Sequence, residues 1–533
     1  MRFISNGIQI IKTNCQKILR WVTCMDLTPW ANAYFIASTF FLVLAIHLYW
    51  RNWPYLGHYR LTRVISLLFW PYLLAMCALC YAEAARIWLG QPAGLISPGW
   101  VQRLFEFEMA CYAVTFVVAI KLFGTGWVLR QKYAFNRQFG PYLIFGPNPA
   151  TSMVILWGSA KPARPNQSQP TVLVGKDPKR LTPVAANIRR NNLVTSVELA
   201  DLEPNTTYYY QVPPKREIFH FQTAPYLDLS NPKPLDFEFA ILCDLHGSAR
   251  PIKQTVNAIR ALLPNIQFIV SGGDNVTDAR IRRHWATLWG QMAPLSPFLP
   301  FESTPGNHDG ELPPAAQNWL KAFPYPYPNP ADGAYFQFTY LNMGFFMLDI
   351  YNGGKAMDQL SAAQLEWLRA ELERLPPEVT QRVIILHKSI YTTGDFGCDK
   401  KLEDQLVPII AEFHVKLVIS GHSHLFEAFF RPDLNPPMGT ALIVTGGGGG
   451  RLDLVASRIS AAPYKWEESV HVAKAWAFLR GNRSSPFRND EAILKYQEYG
   501  KLCHHILHVL VHEDQLTIRA IEWGGTIIYE KMF

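Results

Sequence analysis

The chain has 533 residues, 49% of them hydrophobic and only 17% charged, so it exceeds one ordinary domain and is too apolar to be mainly disordered. Its charge is unevenly placed: residues 1–140 hold 13 Lys/Arg against 4 Asp/Glu, a net of +9, while the remainder holds 37 against 38. A basic excess confined beside apolar segments suits anionic lipid and argues against nucleic-acid binding, which needs a basic face on the folded part.

In chain order, Ala31 to Trp50 carries no Asp, Glu, Lys or Arg and has the length of a membrane helix, with Trp30, Tyr49, Trp50 and Trp53 as interfacial anchors. Spans are expected at about 31–50, 64–82 and 109–129. Pro71 interrupts the second and Lys121 the third, where snorkelling or a partner such as Glu83 accommodates the charge. Flanking basic residues divide equally between the two sides, so the positive-inside rule gives no orientation. Three spans with an inner N-terminus, whose basic first 25 residues rest on the anionic leaflet, place the C-terminal bulk outside the cytoplasm: a multi-pass membrane protein with a lipid-bilayer partner. The eight cysteines imply no disulfide framework, and Cys77 and Cys80, inside an apolar run, read as packing residues.

From Tyr142 to Pro225 the texture becomes short alternating runs with turn residues between them, which reads as a β-sandwich over 142–225. Met153, Ile155 and Trp157 fall on one strand face. Leu202, Pro204, Thr206 and Tyr208 have the spacing of a tyrosine corner, in which a strand-entry hydroxyl bonds upstream backbone. The segment resembles a fibronectin type III-like module, and its opening Gly146-Pro-Asn148-Pro resembles the N-terminal domain of purple acid phosphatases.

Beyond Asp236, apolar strands alternate with helical stretches over 234–533, an α/β pattern. Strand ends deliver Asp244-Leu-His246, Gly273-Asp274-Asn275, Gly306-Asn307-His308-Asp309, His387 and Gly421-His422-Ser-His424. Imidazoles with carboxylates suit Zn, Fe, Mn or Ni rather than Ca, and seven donors serve two ions if one carboxylate bridges.

These ordered blocks resemble those of the calcineurin-like metallophosphoesterase superfamily, and with the preceding module the chain is similar to its purple acid phosphatase-like members. The resemblance implies a metallophosphoesterase β-sandwich flanked by helices (αββα), preceded by the all-β sandwich and the α-helical transmembrane region. It also implies two transition-metal ions (Fe, Zn or Mn, divalent or mixed-valence): Asp244, His246 and His424 on the first, Asn307, His387 and His422 on the second, and Asp274 between them. His308 then faces the substrate as general acid, with Asp309 orienting or tuning its imidazole. Thr277 stands where purple enzymes carry their tyrosinate, and they lack the counterpart of His246, so no purple colour is expected. The implied activity is hydrolysis of a phosphoester, a monoester before a diester, by hydroxide that two metal ions make available at neutral pH.

Lys388 and Tyr391 are candidate substrate contacts, as are Gly447 and Gly448 in the Gly446–Gly450 run, which lacks a Walker ending. His504, His505, His508 and His512 read as residues of a β-hairpin, not a second metal site. Gln364 to Leu375 reads as an amphipathic surface helix, and 452–500 as an insertion with helical patches such as Val472 to Arg480. A membrane-anchored phosphoesterase is therefore expected. The alternatives are a phosphodiesterase or lipid diphosphate hydrolase, or a receptor or scaffold whose domain binds metal without turnover. Oligomeric state is left open.

Overall fold

The structure, a computed structural model, describes residues 139–533 apart from 159–170, 185–186, 192, 228–235, 248, 312, 356–358, 395 and 454–494. The three expected membrane spans and the helical patches of the insertion lie outside the described residues. Among the described residues no helix is long and apolar enough to cross a membrane.

Eight strands form the first module: β1 (Tyr142–Phe145), β2 (Met153–Gly158), β3 (Leu173–Gly175), β4 (Thr182–Pro183), β5 (Asn187–Arg190), β6 (Val194–Leu199), β7 (Thr207–Gln211) and β8 (Phe219–Gln222). They make two antiparallel sheets, ordered β1-β2-β6-β5 and β4-β3-β7-β8. The Tyr208 hydroxyl accepts the Glu203 N–H at 2.9 Å, as the corner spacing requires. Strand β2 is buried along its whole length, where period two with one wet face was expected. The reason is that the first sheet is covered by the second module. Tyr142 stacks on Trp289 at 3.7 Å, Phe145 meets Phe268 and Phe338, and the Phe145 N–H donates to the buried Glu302 carboxyl at 2.7 Å. Each large side chain so covered contributes about 1.5–3 kcal/mol.

The second module runs through β9 (Asp236–Leu242), β10 (Phe268–Ser271), β11 (Phe301–Ser303), β12 (Phe336–Tyr340), β13 (Met343–Met347), β14 (Gln381–Ile385), β15 (Leu417–Ser420), β16 (Phe426–Arg431), β17 (Thr440–Thr445), β18 (Gln497–Lys501), β19 (His505–His512), β20 (Gln515–Glu522) and β21 (Ile527–Met532). One sheet is ordered β11-β10-β9-β19-β20-β21, the other β12-β13-β14-β15-β17-β16-β18. Strands β9, β10 and β11 are parallel, as are β13, β14, β15 and β17. Parallel neighbours need crossovers: the helices Ala249–Leu262, Arg282–Met292, Ala362–Arg374 and Lys400–Glu412 supply four, and β16 lies in the connection from β15 to β17.

Alternation along the strands builds two cores. Phe345, Met347, Val383, Ile385, Leu417 and Ile419 face the other sheet, where Phe345 meets Phe239 at 5.3 Å and Phe268 at 5.6 Å. Phe346, Leu348, Ile384, Leu386 and Val418 point outward and pack with Leu368, Leu372, Leu402 and Leu406 of two crossover helices. The result is two sheets face to face with helices outside, the layering that the family resemblance implied.

Helix Ala362–Arg374 starts two residues before the expected Gln364, with Ser361 capping the Gln364 N–H. Gln364 is not a surface residue: it is buried and clamps the backbone N–H and C=O of Asp349. The histidine-rich segment is β19, paired with β20 as a hairpin. His505 bonds Thr445, His508 pairs with Glu238 and His512 with Asp236, and they form no metal-ligating group among the described residues. Cys243 and Cys503 are free, buried thiols.

Candidate metal centre

All seven expected ligands lie at or just beyond strand ends. Asp244 and His246 follow β9, Asp274 follows β10, Asn307 follows β11, His387 follows β14, and His422 and His424 follow β15. One sheet thus supplies four donors and the facing sheet three. Asp244, Asp274 and His422 have φ of 60°, 55° and 67°, in the left-handed region that costs non-glycine residues about 1–3 kcal/mol. Three such departures within one cluster mark a site where surrounding packing overrides local preference.

The glycines of the blocks have steric duties. A Cβ on Gly306 would lie 2.4 Å from the Asp274 backbone nitrogen, and one on Gly421 would lie 2.4 Å from Asp244 Oδ2. Both strand ends can therefore approach the carboxylates only without a side chain.

Around this frame the donors converge. His424 Nε2 is 3.2 Å from Asp244 Oδ1 and 3.1 Å from His246 Nε2, which is 3.7 Å from Asp274 Oδ2. On the other side His387 Nε2 is 3.4 Å from Asp274 Oδ2 and 3.1 Å from Asn307 Oδ1, and His422 Nδ1 is 3.0 Å from the same Asn307 oxygen. Asp274 thus faces His246 on one side and His387 on the other, and Asp244 lies close enough to join it and His387 in one cluster.

The backbone fixes which ring nitrogens face inward. His387 Nδ1 faces the Gly272 carbonyl at 3.0 Å, His424 Nδ1 the Arg451 carbonyl at 2.5 Å, and His308 Nδ1 the Thr277 carbonyl at 2.7 Å. Donation there leaves each Nε2 lone pair pointing into the cluster, the arrangement that metal-ligating histidines use. Asp244 Oδ1 is buried, with His424 Nε2 beside it at 3.2 Å. Buried carboxylates ringed by imidazole nitrogens form a donor set that fits a transition-metal cation.

Charge is arranged accordingly. Burial pushes the Asp274 carboxyl up, but His387, His246 and His308 outweigh it and hold it well below the usual range. Burial pulls His387 and His424 down, yet Asp274 and Asp244 respectively raise them to about 9 and about 10. Burial lowers His246 to about 4 and, with His387 adding to it, His422 to about 3. Metal binding must therefore displace protons from His387 and His424. Affinity is expected to rise with pH through neutrality toward about 9, with protons released on loading. Titrating the metal-free chain with Zn in buffers of different ionisation enthalpy measures that release, and a pH-independent affinity would contradict the ligand assignment.

Several expected site residues sit elsewhere. Asp309 is fully buried and accepts N–H groups of Asn275, Val276 and Gly306 instead of reaching the His308 ring. Burial, with Asp274 adding to it, pushes it up to about 7. Its function is to tie the turn carrying Asp274 to the turn carrying Asn307. Tyr391 is 2% exposed, donates to Glu403 Oε1 at 2.8 Å and accepts from Arg431 at 2.6 Å, so it is core and touches no substrate. Gly447 and Gly448 are buried behind the centre, where the Gly448 N–H donates to the Cys243 carbonyl, and the Gly450 N–H to the Asp244 carbonyl. Gly448 packs on the Cys243 backbone and Gly447 on His505 and Cys503, so this run backs the strand end that carries Asp244. Lys388 pairs with Asp399 at 2.7 Å, and its charge still reaches His422.

Sequence reasoning passed over Phe396, an exposed ring set against His422, and Glu427, a buried carboxyl that holds Thr392 and Thr393. Only the Gly394-Asp-Phe396-Gly397 pattern, an aromatic between glycines just past a ligand block, hinted at the first.

Residues 237–426 match the calcineurin-like phosphoesterase family model, and residues 139–223 match that of the purple acid phosphatase N-terminal domain. Among similar sequences, purple acid phosphatase 22 of Arabidopsis thaliana is 26% identical over 54% of this chain and 66% of its own length. Purple acid phosphatase 21 of the same plant is 24% identical over 58% and 73%. The chain thus spans about two thirds of these relatives. The purple acid phosphatase PPD1 from yellow lupin seeds superposes with a TM-score of 0.58 at 15% identity, covering 74% of each chain, and PhoD with 0.50 at 15%, covering 74% and 89%. At these identities the likeness is one of fold.

Proposed function

We infer that this chain, a calcineurin-like metallophosphoesterase carrying a purple acid phosphatase N-terminal domain, hydrolyses phosphate monoesters at a centre of two transition-metal ions. The observation that carries this reading is the convergence of seven donors from two sheets, with Asp274 between His246 and His387 and His308 beside them. Asp244, His246 and His424 would hold one ion, Asn307, His387 and His422 the other, and Asp274 both; the donor set suits Fe, Zn or Mn. When bound, such a pair neutralises phosphoryl oxygens and makes hydroxide available near neutral pH.

The remaining work falls to the chain's own groups. His308 stacks on His246 at 4.2 Å, its side chain 36% exposed, with Nε2 3.9 Å from Asp274 Oδ2. Its Nδ1–H is engaged by the Thr277 carbonyl, so a second proton can reside only on Nε2, the nitrogen turned toward the centre. That proton is the one delivered to a departing alkoxide. Asp309, by locking the two turns, holds Asp274 and His308 in register. The basic and apolar first 140 residues support a membrane tether for this hydrolase.

His308→Ala is the test. Alkyl phosphates, whose alkoxide must be protonated, should slow by about 10²–10⁴-fold, and p-nitrophenyl phosphate, whose phenolate leaves unaided, far less. Equal losses on both esters would remove His308 from proton delivery.

A further inference from the structure

One residue beside the centre has no part in metal binding or proton delivery. Phe396 is 45% exposed, and its ring centroid lies 3.8 Å from that of His422, tilted by 32°. An exposed apolar side chain is ordinary on a protein surface. What distinguishes this one is that it is held in place. The loop bearing it is pinned from below by Glu427, which sits in full burial and takes hydrogen bonds from the Thr392 and Thr393 hydroxyls, the Thr393 N–H and the Gln497 amide. The Asp399 N–H closes the far side on the Ile390 carbonyl, and Cys398 Sγ reaches the Thr392 carbonyl. A turn from Gly394 to Gly397, the latter at φ 68°, lifts the ring to the surface at its tip.

Position then gives the ring a use. His246 and His308 form one stacked pair beside Asp274, and His422 and Phe396 form a second on the Asn307 side. The first pair is polar and carries the transferable proton. The second presents an apolar face at the edge of the same centre, with Lys388 close enough to act on His422. A phosphoryl group seated at the centre projects its organic part past one or both of these edges, and of the two only the Phe396 edge offers that part a non-polar surface.

We propose that Phe396 is a specificity-determining residue that selects phosphoesters whose organic group presents an apolar surface to its ring, over small or polyol esters. This rests on the phosphoesterase reading and names the substrate class for that site. Ring-to-ring contact contributes beyond simple burial, so aromatic and aliphatic groups can be told apart.

The test uses the metal-loaded full chain and non-hydrolysable ligands, with calorimetry as readout and metal content measured for every variant. Phenylphosphonate and hexylphosphonate should each bind about tenfold more tightly than methylphosphonate. In Phe396→Ala those ratios should fall to near one with both metals retained. In Phe396→Leu the hexyl preference should persist and the phenyl preference fall, because leucine keeps the apolar surface and loses the ring-to-ring contact. Ratios unchanged in Phe396→Ala, or no preference in the wild type while methylphosphonate binds, overturn the proposal and leave the phosphoesterase reading standing. Failure of the loaded wild type both to bind methylphosphonate and to hydrolyse p-nitrophenyl phosphate overturns that reading and this inference with it.

Discussion

Asp274→Ala is expected to lower kcat/KM on p-nitrophenyl phosphate by at least about 10³-fold, since cationic stabilisation of the transition state is worth several kcal/mol. The size of the effect follows from position. Asp274 Oδ2 lies within 3.4 to 3.9 Å of His387, His246 and His308, and Oδ1 accepts the His308 N–H at 2.8 Å. Removing this carboxylate takes away the donor that lies between His246 and His387 and the larger of the two charges that raise His387. Elemental analysis should find fewer than two metals per chain. Asn307→Ala, which removes a donor from one group only, should retain the first ion and serves as the comparison. Wild-type turnover in Asp274→Ala would dismantle the two-ion reading.

Gly306→Ala should be nearly as damaging, although it adds one methyl group and removes no ligand. The added carbon would sit 2.4 Å from the Asp274 nitrogen, a backbone atom that cannot swing aside. The turns holding Asp274 and Asn307 must then part by a good fraction of an ångström, and misplacement on that scale costs about 10²-fold in rate. Gly290→Ala is the matching control: it lies in helix Arg282–Met292 with open space where its Cβ would go, so activity should be kept and the helix gain up to about 1 kcal/mol. Measuring kcat/KM and metal content side by side separates the two, and a fully active Gly306→Ala would show that the turns are looser than the packing implies.

The ligands were legible from sequence because they cluster in short blocks at strand ends, most of them beside a glycine, a local pattern that survives without knowledge of the fold. The αββα layering followed from the family resemblance, and strand positions from apolar runs bounded by turns. What failed was long-range partnership. Tyr391 sits four residues past His387 and looks like part of the site, but its hydroxyl belongs to Arg431, a residue 40 positions away. Asp309 adjoins His308 in sequence, yet a helical turn sends the two side chains apart and its carboxylate goes to Asn275. Gly447 and Gly448 carry a phosphate-loop composition, and only the folded chain shows that they pack against His505, Cys503 and Cys243. The covering of the first sheet was likewise invisible, because Trp289 lies on Tyr142 of β1 and Phe268 and Phe338 on its Phe145.

The division of donors between the two sheets makes the aromatic layer separating them a kind of gauge block. Asp244, His246, Asp274 and Asn307 travel with one sheet, and His387, His422 and His424 with the other, while Phe239, Phe268 and Phe345 set how far apart those plates stand. Close-packed interiors transmit a methylene's worth of change instead of absorbing it. Drift in residues with no chemistry of their own can therefore retune the bite offered to cations, so that metal preference in such a chain is written partly in its hydrocarbon.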